Sequence, residues 1–375
     1  MSGLAIGQVP VGVVNLDDHQ AHARESLDGN AWAYFAGGAG DELTLAANRA
    51  AWDGIALHPR VLRRLSGGHT RMTLLGRERA HPILVAPVAY QRMAHPDGEL
   101  ATAVAAATLG AGLVLSTQAS VPLETVAHAV LDEPARGPLW FQLYLQADRG
   151  ATLELVRRAE AAGFEALVVT VDAPTHGARD RERRAGFRLP PGVAAVNLAT
   201  RAAGPDSPLR PGQSALFDHL LATAPTWEDI AWLQAQTRLP VLLKGILHPE
   251  DAREAVRLQL AGVIVSNHGG RTLDTAVATA LALPAVAEAV GGAMPVLVDG
   301  GIRRGTDVLK ALALGASAVM VGRPVVFGLA HAGAVGAAHV LRLLRDELEI
   351  AMALCGCATL ADINPGLLFG HGEPR

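Results

Sequence analysis

Eight short apolar segments recur along the chain, and their spacing restricts the folds that it can adopt. Continuous apolar runs of this length are typical of strands buried on both faces, as in a parallel sheet. Between most of them lie segments with helical spacing and a closing glycine, such as ATLELVRRAEAAGF. The eight runs are ILVAPVA (83–89), GLVLST (112–117), LWFQLY (139–144), ALVVTVD (166–172), VLLKGI (241–246), GVIVSNH (262–268), PVLVDGG (295–301) and AVMVGR (318–323).

Strands that alternate with helices in this number predict a (β/α)8 TIM barrel, an α/β fold. The alternative is a doubly wound open sheet, but APVAYQ follows the first strand, where that fold carries a glycine fingerprint. We expect one domain over residues 1–375. Within it, residues 1–80 supply an N-terminal helical segment and a hairpin, RMTLLGRERA, that pack on the barrel.

An insertion rich in proline and glycine, residues 186–225, interrupts the alternation after the fourth strand. Long irregular insertions of this kind are usually lids or disordered loops. Because this one leaves the C-terminal end of a strand, we expect a lid. The next segment, TWEDIAWLQAQT, is predicted to be a helix that Thr226 caps, with Asp229 completing a capping box.

The composition excludes several classes of function. Of the 375 residues, 50% are hydrophobic and 18% are charged, and the formal net charge is −4, so nothing favours binding to nucleic acid or to an anionic membrane. The N-terminus lacks a secretory signal pattern, and no apolar run reaches the ~18 residues of a membrane span. Cys355 and Cys357 are the only cysteines, which argues against a disulfide framework or a zinc site. We expect a cytoplasmic protein that needs no metal.

Polar and charged residues gather at the predicted C-terminal ends of the strands, where barrel enzymes place their active sites. Every strand except the first ends in at least one such residue, whereas the opposite ends are almost wholly apolar. This convergence predicts an active site and disfavours a barrel without enzymatic activity. With Ala89 after the first strand, the residues are Ser116, Thr117, Gln142, Tyr144, Thr170, Asp172, Lys244, His268, Arg271, Asp299, Arg303 and Arg323.

The last two strands carry a second signal. The segments DGGIRRGTDVLKAL and VGRPVVFGLA place glycines, with Arg303 and Arg323, where loops meet the starts of helices. Barrels often bind phosphate at this position, with backbone N–H groups and a helix dipole facing the anion. Because the other strand ends hold a base, an acid and cations, we assign this phosphate to a cofactor rather than to the reacting group.

The stretch VSNHGGRTLD places a histidine and an arginine on either side of two glycines. Gly269 and Gly270 permit close approach of the backbone to a ligand. An arginine can fork onto a carboxylate while a nearby histidine takes a proton. We therefore interpret His268 and Arg271 as one unit: Arg271 binds the carboxylate of a substrate, and His268 removes a proton from the bound molecule. A phosphate-binding isomerase or aldolase, the other enzyme class considered, leaves this pairing unexplained.

Several motifs together resemble the FMN-dependent 2-hydroxy acid oxidase and dehydrogenase family, which includes glycolate oxidase, lactate oxidase and mandelate dehydrogenase. They are SNHGGRTLD, TVDAPTHGARDRERRAGFRLP, LKGI, VDGGIRRGTDVLKALALGASAVMVGRP and FAGGAGDELTLAANR. The likeness runs from about residue 20 to about residue 360. Within the family, APVAYQRMAHPDGEL and WFQLY are most similar to actinobacterial 4-hydroxymandelate oxidases. The resemblance implies a homotetramer that oxidises an (S)-2-hydroxy acid to the 2-oxo acid and reduces O2 to H2O2.

The resemblance also implies roles for individual residues. His268 is the base, and Asp172 stabilises its imidazolium and is expected to raise its pKa. Arg271 and Tyr34 bind the substrate carboxylate with the help of Arg179, and Tyr144 hydrogen-bonds the substrate oxygen. Lys244 stabilises negative charge on the reduced flavin. The ring or ribityl chain of FMN contacts Ala89, Ser116, Gln142, Thr170 and Ser266, and its ribityl and phosphate groups contact Asp299, Gly301, Arg303, Gly322 and Arg323.

Departures from the family pattern bear on the substrate. Gln118 stands where glycolate oxidase has a tryptophan, which favours an aryl substrate such as mandelate or 4-hydroxymandelate; Tyr90 is a further candidate for this pocket. Lactate, glycolate or medium-chain substrates remain alternatives, as does a dehydrogenase that passes electrons to a quinone. The base can take its proton from the hydroxyl or from Cα. The run RDRERR, residues 179–184, is interpreted mostly as a solvated face, with Arg179 as the exception.

Overall fold

The eight apolar runs form the strands of one closed parallel barrel. The computed structural model describes residues 8–9, 11–198, 212–221 and 224–370. Pairing of the last strand with the first closes the barrel, which confirms the predicted (β/α)8 fold. A hairpin, β1 (Met72–Leu74) and β2 (Arg77–Arg79), precedes the barrel strands β3 (Ile83–Val85), β4 (Gly112–Leu115), β5 (Leu139–Leu143), β6 (Ala166–Thr170), β7 (Val241–Ile246), β8 (Gly262–Val265), β9 (Val296–Val298) and β10 (Ala318–Val321).

A helix follows each barrel strand and returns the chain to the start of the next strand. Three helices lead into the barrel: α1 (Leu16–Ser26), α2 (Gly29–Ala36) and α3 (Leu43–Asp53). A short helix, α7 (Asp180–Arg184), lies between β6 and its return helix. The return helices are α4 (Gly98–Leu109), α5 (Leu123–Val130), α6 (Arg149–Ala161), α8 (Trp227–Gln234), α9 (Pro249–Arg257), α10 (Thr279–Val290), α11 (Gly305–Ala313) and α12 (Arg323–Leu354).

Local sequence signals set several helix starts. Thr226 and Asp229 form the capping box predicted for α8. At α6, the Asp148 carboxylate accepts hydrogen bonds from the first free backbone N–H groups, those of Gly150 and Ala151. These caps end the loops on the rim of the barrel that carries the functional residues.

Helix α12, with 32 residues, is the longest helix in the described part of the chain. Its length and hydropathy would suffice to cross a membrane, but 67% of the apolar window is buried inside the protein. Non-helical backbone at Ala332 and Gly333 interrupts it. Its buried face packs on α1, α4 and α11, so α12 is a core helix of the barrel.

The N-terminal helices pack on the rim of the barrel. The Trp52 indole donates a hydrogen bond of 2.8 Å to the backbone oxygen of Gly300. Arg49 forms an ion pair of 2.6 Å with the buried carboxylate of Asp307 on α11. Helix α3 is therefore fixed next to the loop that follows β9.

Only part of the predicted lid, residues 186–225, can be described. Residues 199–211 and 222–223 lie outside the described residues, so the lid stays a prediction. Of the described part, the Phe187 ring stacks on Tyr34 with a centroid distance of 4.9 Å. The N–H of Val196 donates to the backbone oxygen of Ala119 at 3.2 Å. The start of the insertion thus lies against the rim that carries the polar strand ends.

The barrel interior is a packed apolar core that the hairpin closes at its N-terminal end. Leu74 of β1, only 2% exposed, is part of the same cluster as the inward side chains of the strands. Those side chains are Leu84, Ala86, Val114, Trp140, Ala166, Val168, Leu242, Ile264, Leu297, Ala318 and Met320. The hairpin therefore acts as a plug, and the functional cavity opens at the opposite end.

Truncation of the plug tests this arrangement. We expect Leu74→Ala to lower the free energy of unfolding by about 2–5 kcal/mol, because it removes buried methyl groups and leaves a cavity. Urea denaturation of the holoprotein measures the change. Glu78→Ala, an exposed position of the same hairpin, serves as the control and should change stability by no more than about 0.5 kcal/mol. Equal stability of the two variants would contradict the role of the plug.

Candidate active site

The polar strand ends surround one cavity of about 1770 Å³ at the C-terminal rim of the barrel. Three predicted residues do not line it: Asp172 bonds His268 at 2.9 Å, Ser266 bonds Lys244 at 2.7 Å, and the Thr117 hydroxyl donates to the backbone oxygen of Gln142. The structure therefore brings all the predicted site residues together. Those that line the cavity are Tyr34, Ala89, Ser116, Gln118, Gln142, Tyr144, Thr170, Arg179, Lys244, His268, Arg271, Asp299, Gly301, Arg303, Gly322 and Arg323.

The backbone after β8 explains the two glycines beside the histidine. His268, Gly269 and Gly270 have φ angles of 56°, 63° and 73°, so three successive residues are left-handed. A Cβ on Gly269 would lie 2.6 Å from the guanidinium of Arg323, and one on Gly270 would lie 2.7 Å from the backbone nitrogen of Leu45. Left-handed backbone at a non-glycine residue costs about 1–3 kcal/mol and is typical of functional sites. The glycines let this turn pack tightly and aim His268 into the cavity.

His268 is held in one tautomer by a buried carboxylate. Its Nδ1 donates to Asp172 Oδ1 at 2.9 Å, which leaves the lone pair of Nε2 free to accept a proton. Burial lowers the pKa of His268; Asp172 opposes this, while the charges of Lys244 and Arg271 add to it. Asp172 raises this pKa as expected, but burial outweighs the carboxylate and the net shift is downward. The imidazole is therefore neutral near pH 7, as a base must be.

Asp172 remains ionised despite its burial. Burial alone would raise its pKa, but the charge and hydrogen bond of His268, together with Lys244, hold that pKa below the usual range. Its second oxygen, Oδ2, has no hydrogen-bond partner within the described part of the chain. The carboxylate can therefore stabilise positive charge when the imidazole takes up a proton.

Lys244 supplies a buried cation on β7. The side chain is 5% exposed, and Nζ donates to Ser266 Oγ at 2.7 Å and lies 2.9 Å from Asp299 Oδ2. Burial alone would lower its pKa, but Asp299 and Asp172 outweigh burial and raise the pKa. Lys244 is therefore an ammonium at any physiological pH.

Two further buried polar atoms lack partners within the described residues: Gln142 Nε2, a donor, and Asp299 Oδ1, an acceptor. Both side chains line the cavity. Unpaired buried polar groups are costly unless a ligand completes them. A flat heterocycle with donors and acceptors along its edge, such as a flavin ring, fits this set.

The end of the cavity near β9 and β10 carries uncompensated positive charge. Arg303 and Arg323 form no ion pair among the residues that the structure describes, and Arg323 donates to the backbone oxygens of Phe35, Gly269 and Gly37 at 2.8–3.0 Å. Burial lowers the pKa of Arg303 to about 10, and burial with the charges of Arg271 and Arg303 lowers that of Arg323. Gly322 precedes α12, whose N-terminus adds partial positive charge. This end of the cavity fits a phosphate.

Arg271 presents one free edge to the cavity. Its Nη1 donates to the backbone oxygens of Tyr34 and Gly37, and its Nη2 donates to Glu182 at 3.0 Å. Its Nε makes no hydrogen bond within the described residues. The N–H of Nε and the second N–H of Nη2 therefore remain available to a carboxylate. Arg179 lies beside Arg271, 3.4 Å from the same oxygen of Glu182.

Aromatic side chains form the wall next to Arg271. The ring of Tyr34 stacks on Phe187 at 4.9 Å and meets Tyr90 edge to face at 5.9 Å. Burial raises the pKa of both Tyr34 and Tyr144 to about 12, so both phenols are hydrogen-bond donors at neutral pH. Tyr90 and Gln118 also line the cavity.

The interpretation of RDRERR as a solvated face was wrong for one further residue. Arg183 and Arg184 are exposed as expected, but the Glu182 side chain is only 13% exposed and contacts both Arg179 and Arg271. Its signal in the sequence was the i,i+3 spacing from Arg179, which places the two on one helical face. Sequence reasoning also missed Phe187, because no local pattern indicates that this residue packs on Tyr34.

Comparison with known proteins identifies the family. Residues 23–369 match the family described as FMN-dependent dehydrogenase. The chain belongs to this family. It is 53% identical over 357 residues to an L-lactate oxidase of Roseobacter sp. (strain GAI101), covering 95% of each chain. It is 48% identical to glycolate oxidase 1 of Zea mays, covering 94% of each chain. A structure of mandelate oxidase with (S)-2-phenylpropionate superposes with a TM-score of 0.84 at 46% identity, covering 95% of this chain and 97% of the other.

These similarities confirm the predicted family and the predicted cofactor. The protein is an FMN-dependent 2-hydroxy acid oxidase, and its cavity has the features that this cofactor needs. Arg303 and Arg323 would hold the phosphate, and Gln142, Lys244 and Asp299 would contact the ring. The finer resemblance to 4-hydroxymandelate oxidases and the roles of individual residues stay predictions.

The pKa of His268 predicts a pH profile. Protonated His268 cannot accept a proton, so kcat/KM, which reports the free enzyme, should fall as the pH drops through an apparent pKa below about 6.5 and stay level above it. Steady-state assays between pH 5 and 9 measure this. Asp172→Asn should shift the apparent pKa further down, because it removes a group that raises it. A rate that still rises between pH 7 and 9 would contradict a neutral His268.

Proposed function

We propose that this enzyme oxidises (S)-2-hydroxy acids with a bulky side chain, aryl acids such as mandelate or 4-hydroxymandelate first, to the 2-oxo acids, and that O2 is reduced to H2O2. The observation that carries the substrate proposal is the wall formed by Tyr34, Tyr90 and Phe187 next to the carboxylate fork of Arg271. Stacked and edge-to-face rings are the partners that an aryl group prefers. The similarity to mandelate oxidase structures supports the same proposal.

Substrate binding is assigned to the two arginines and two tyrosines. The carboxylate lies on the Nε/Nη2 edge of Arg271, with Arg179 and the Tyr34 hydroxyl beside it. The Tyr144 phenol, a donor at neutral pH, hydrogen-bonds the substrate oxygen. These contacts hold the reacting carbon near His268 and the side chain of the substrate against the aromatic wall. The bound substrate is then already oriented for the reaction, which reduces the entropic cost of reaching the transition state.

His268 accepts the proton that the oxidation releases. Conversion of R–CH(OH)–COO⁻ to R–CO–COO⁻ removes two protons and two electrons: His268 takes one proton, and FMN, when bound, would take up the electron pair with the second proton. The hydroxyl route and the Cα route both deliver the base's proton to His268 Nε2, since Nδ1 is bonded to Asp172. Asp172 stabilises the imidazolium that forms, and the ammonium of Lys244 offsets negative charge that develops at the ring.

Lactate is the second candidate substrate. The support for it is the 53% identity to an L-lactate oxidase and the 49% identity to the L-lactate oxidase of Nostoc sp.. A smaller acid would use the same fork and base and leave the aromatic wall unfilled. The two substrates therefore differ only in what contacts the side chain.

We also propose the acceptor and the assembly that the resemblance implied, and the cytoplasmic location expected from the composition. The oxidase names of the relatives support O2 as the acceptor. Exposed apolar side chains on and beside two packed helices, α3 and α10, support a homotetramer; they are Leu43, Leu273, Val277 and Leu281. Two free cysteines, Cys355 and Cys357, support a reducing cytoplasm.

Anaerobic mixing of the holoenzyme with a panel of acids tests the substrate proposal. Bleaching of the flavin bands gives a reduction rate and an apparent Kd for (S)-mandelate, 4-hydroxymandelate, L-lactate, glycolate and 2-hydroxyoctanoate. We expect the ratio of rate to Kd for the aryl acids to exceed that for lactate by about tenfold or more, because the ring fills an apolar pocket. (R)-Mandelate is the stereochemical control, and admission of air should restore the colour promptly.

A substitution sharpens this test. Gln118→Trp narrows the cavity and should slow reduction by the aryl acids more than reduction by lactate. A higher ratio for lactate in the unsubstituted enzyme would contradict the aryl proposal, and slow recolouring in air would contradict O2 as the acceptor.

A further inference from the structure

Glu182 places one carboxylate oxygen between two arginines of the substrate site. Its Oε1 lies 3.0 Å from Nη2 of Arg271 and 3.4 Å from Nη1 of Arg179. All three side chains are between 13% and 15% exposed. Charge-assisted hydrogen bonds that are largely withdrawn from water are stronger than those at the surface. The contact is therefore part of the site and not a solvated ion pair.

The backbone fixes the position of Glu182 independently of its side-chain contacts. Just before α7, the N–H of Gly40 donates to the backbone oxygen of Ala178 at 2.6 Å. At Gly177 the chain packs so closely on the loop after β8 that a Cβ would lie 2.1 Å from the backbone oxygen of Thr272. On α7 itself, Arg181 forms an ion pair with Glu42. Helix α7 is thus tied to the same loop that carries Arg271.

The geometry of Arg271 shows what this carboxylate does. Nη1 donates to two backbone oxygens, and Nη2 donates to Glu182. Any rotation of the guanidinium would therefore break these three hydrogen bonds. Among the described residues, the N–H of Nε and one N–H of Nη2 are left without a partner. Burial lowers the pKa of Arg271, and the neighbouring charge of Arg179 lowers it further, whereas Glu182 raises it. Glu182 therefore offsets the repulsion between two like charges that must lie side by side.

We propose that Glu182 is a positioning residue that sets the affinity of the site for the substrate carboxylate. It holds Arg271 and Arg179 together and keeps the free edge of Arg271 directed into the cavity. It acts through the two arginines and contacts none of the reacting atoms. The proposal rests on the proposed carboxylate site and adds Glu182 to the residues that form it.

Glu182→Gln tests the proposal, because it keeps the size of the side chain and removes its charge. In anaerobic mixing of the holoenzyme with (S)-mandelate and with L-lactate, we expect the apparent Kd to rise about tenfold. The limiting rate of flavin reduction should change by less than about threefold, since a residue that affects binding alone leaves the chemical step intact. Asp180→Asn makes the same change of charge on the exposed face of α7 and should leave both values unchanged.

Titration of the oxidised holoenzyme with the product acids provides a second readout. Benzoylformate and pyruvate are the 2-oxo acids that correspond to the two candidate substrates, and their binding is followed by the flavin spectrum. Arg271→Lys is the comparator, because an ammonium cannot reproduce the fork and should weaken both acids. Weaker binding in Glu182→Gln as well supports the proposal.

The remaining outcomes contradict it. Weak binding in Arg271→Lys with unchanged binding in Glu182→Gln would overturn the role of Glu182 and leave the carboxylate site intact. Unchanged binding in both variants would overturn the carboxylate site itself. Tighter binding in Glu182→Gln would show that Glu182 competes with the substrate. If Glu182→Gln does not fold, Glu182→Asp keeps the charge on a shorter side chain, and its Kd should rise about threefold; an unchanged Kd would overturn the proposal.

Discussion

Pairing of β10 with β3 closes the sheet into a ring, and every feature of the active site depends on that closure. In a closed parallel barrel all strands end on the same rim, so residues far apart in the chain meet there without long connections. Asp172 lies two residues after the end of β6, and His268 lies three residues after the end of β8. Their side chains are nevertheless only 2.9 Å apart. The interior contributes packing alone, because the apolar core and the hairpin fill it.

The rim carries more buried positive charge than its own carboxylates neutralise. Lys244 has Asp299, and Arg271 has Glu182, but Arg303 and Arg323 have no ion pair among the described residues. Largely buried cations without a carboxylate partner are unfavourable unless a ligand supplies the negative charge. The phosphate of FMN and the carboxylate of the substrate are the two anions that this family requires. The charge imbalance therefore makes cofactor and substrate part of the stability of the site.

Much of this could be predicted from the sequence, because strand runs and strand ends are local patterns. The order of the barrel strands and the gathering of Lys244, His268 and Arg303 at one rim followed from them. The pKa direction of His268 could not be predicted, since it depends on how completely neighbouring elements bury the ring. The inward direction of Glu182 and the stacking of Phe187 on Tyr34 were missed for a related reason: both depend on contacts between distant segments.

The central claim is that neutral His268, oriented by Asp172, is the base of the reaction. Anaerobic rapid mixing of FMN-loaded His268→Ala with the acid that reduces the unsubstituted enzyme fastest tests it most directly. The account predicts a protein that keeps its yellow flavin but is reduced about 10²–10⁴-fold more slowly, with partial recovery when imidazole is added. Reduction within about threefold of the unsubstituted rate would contradict it.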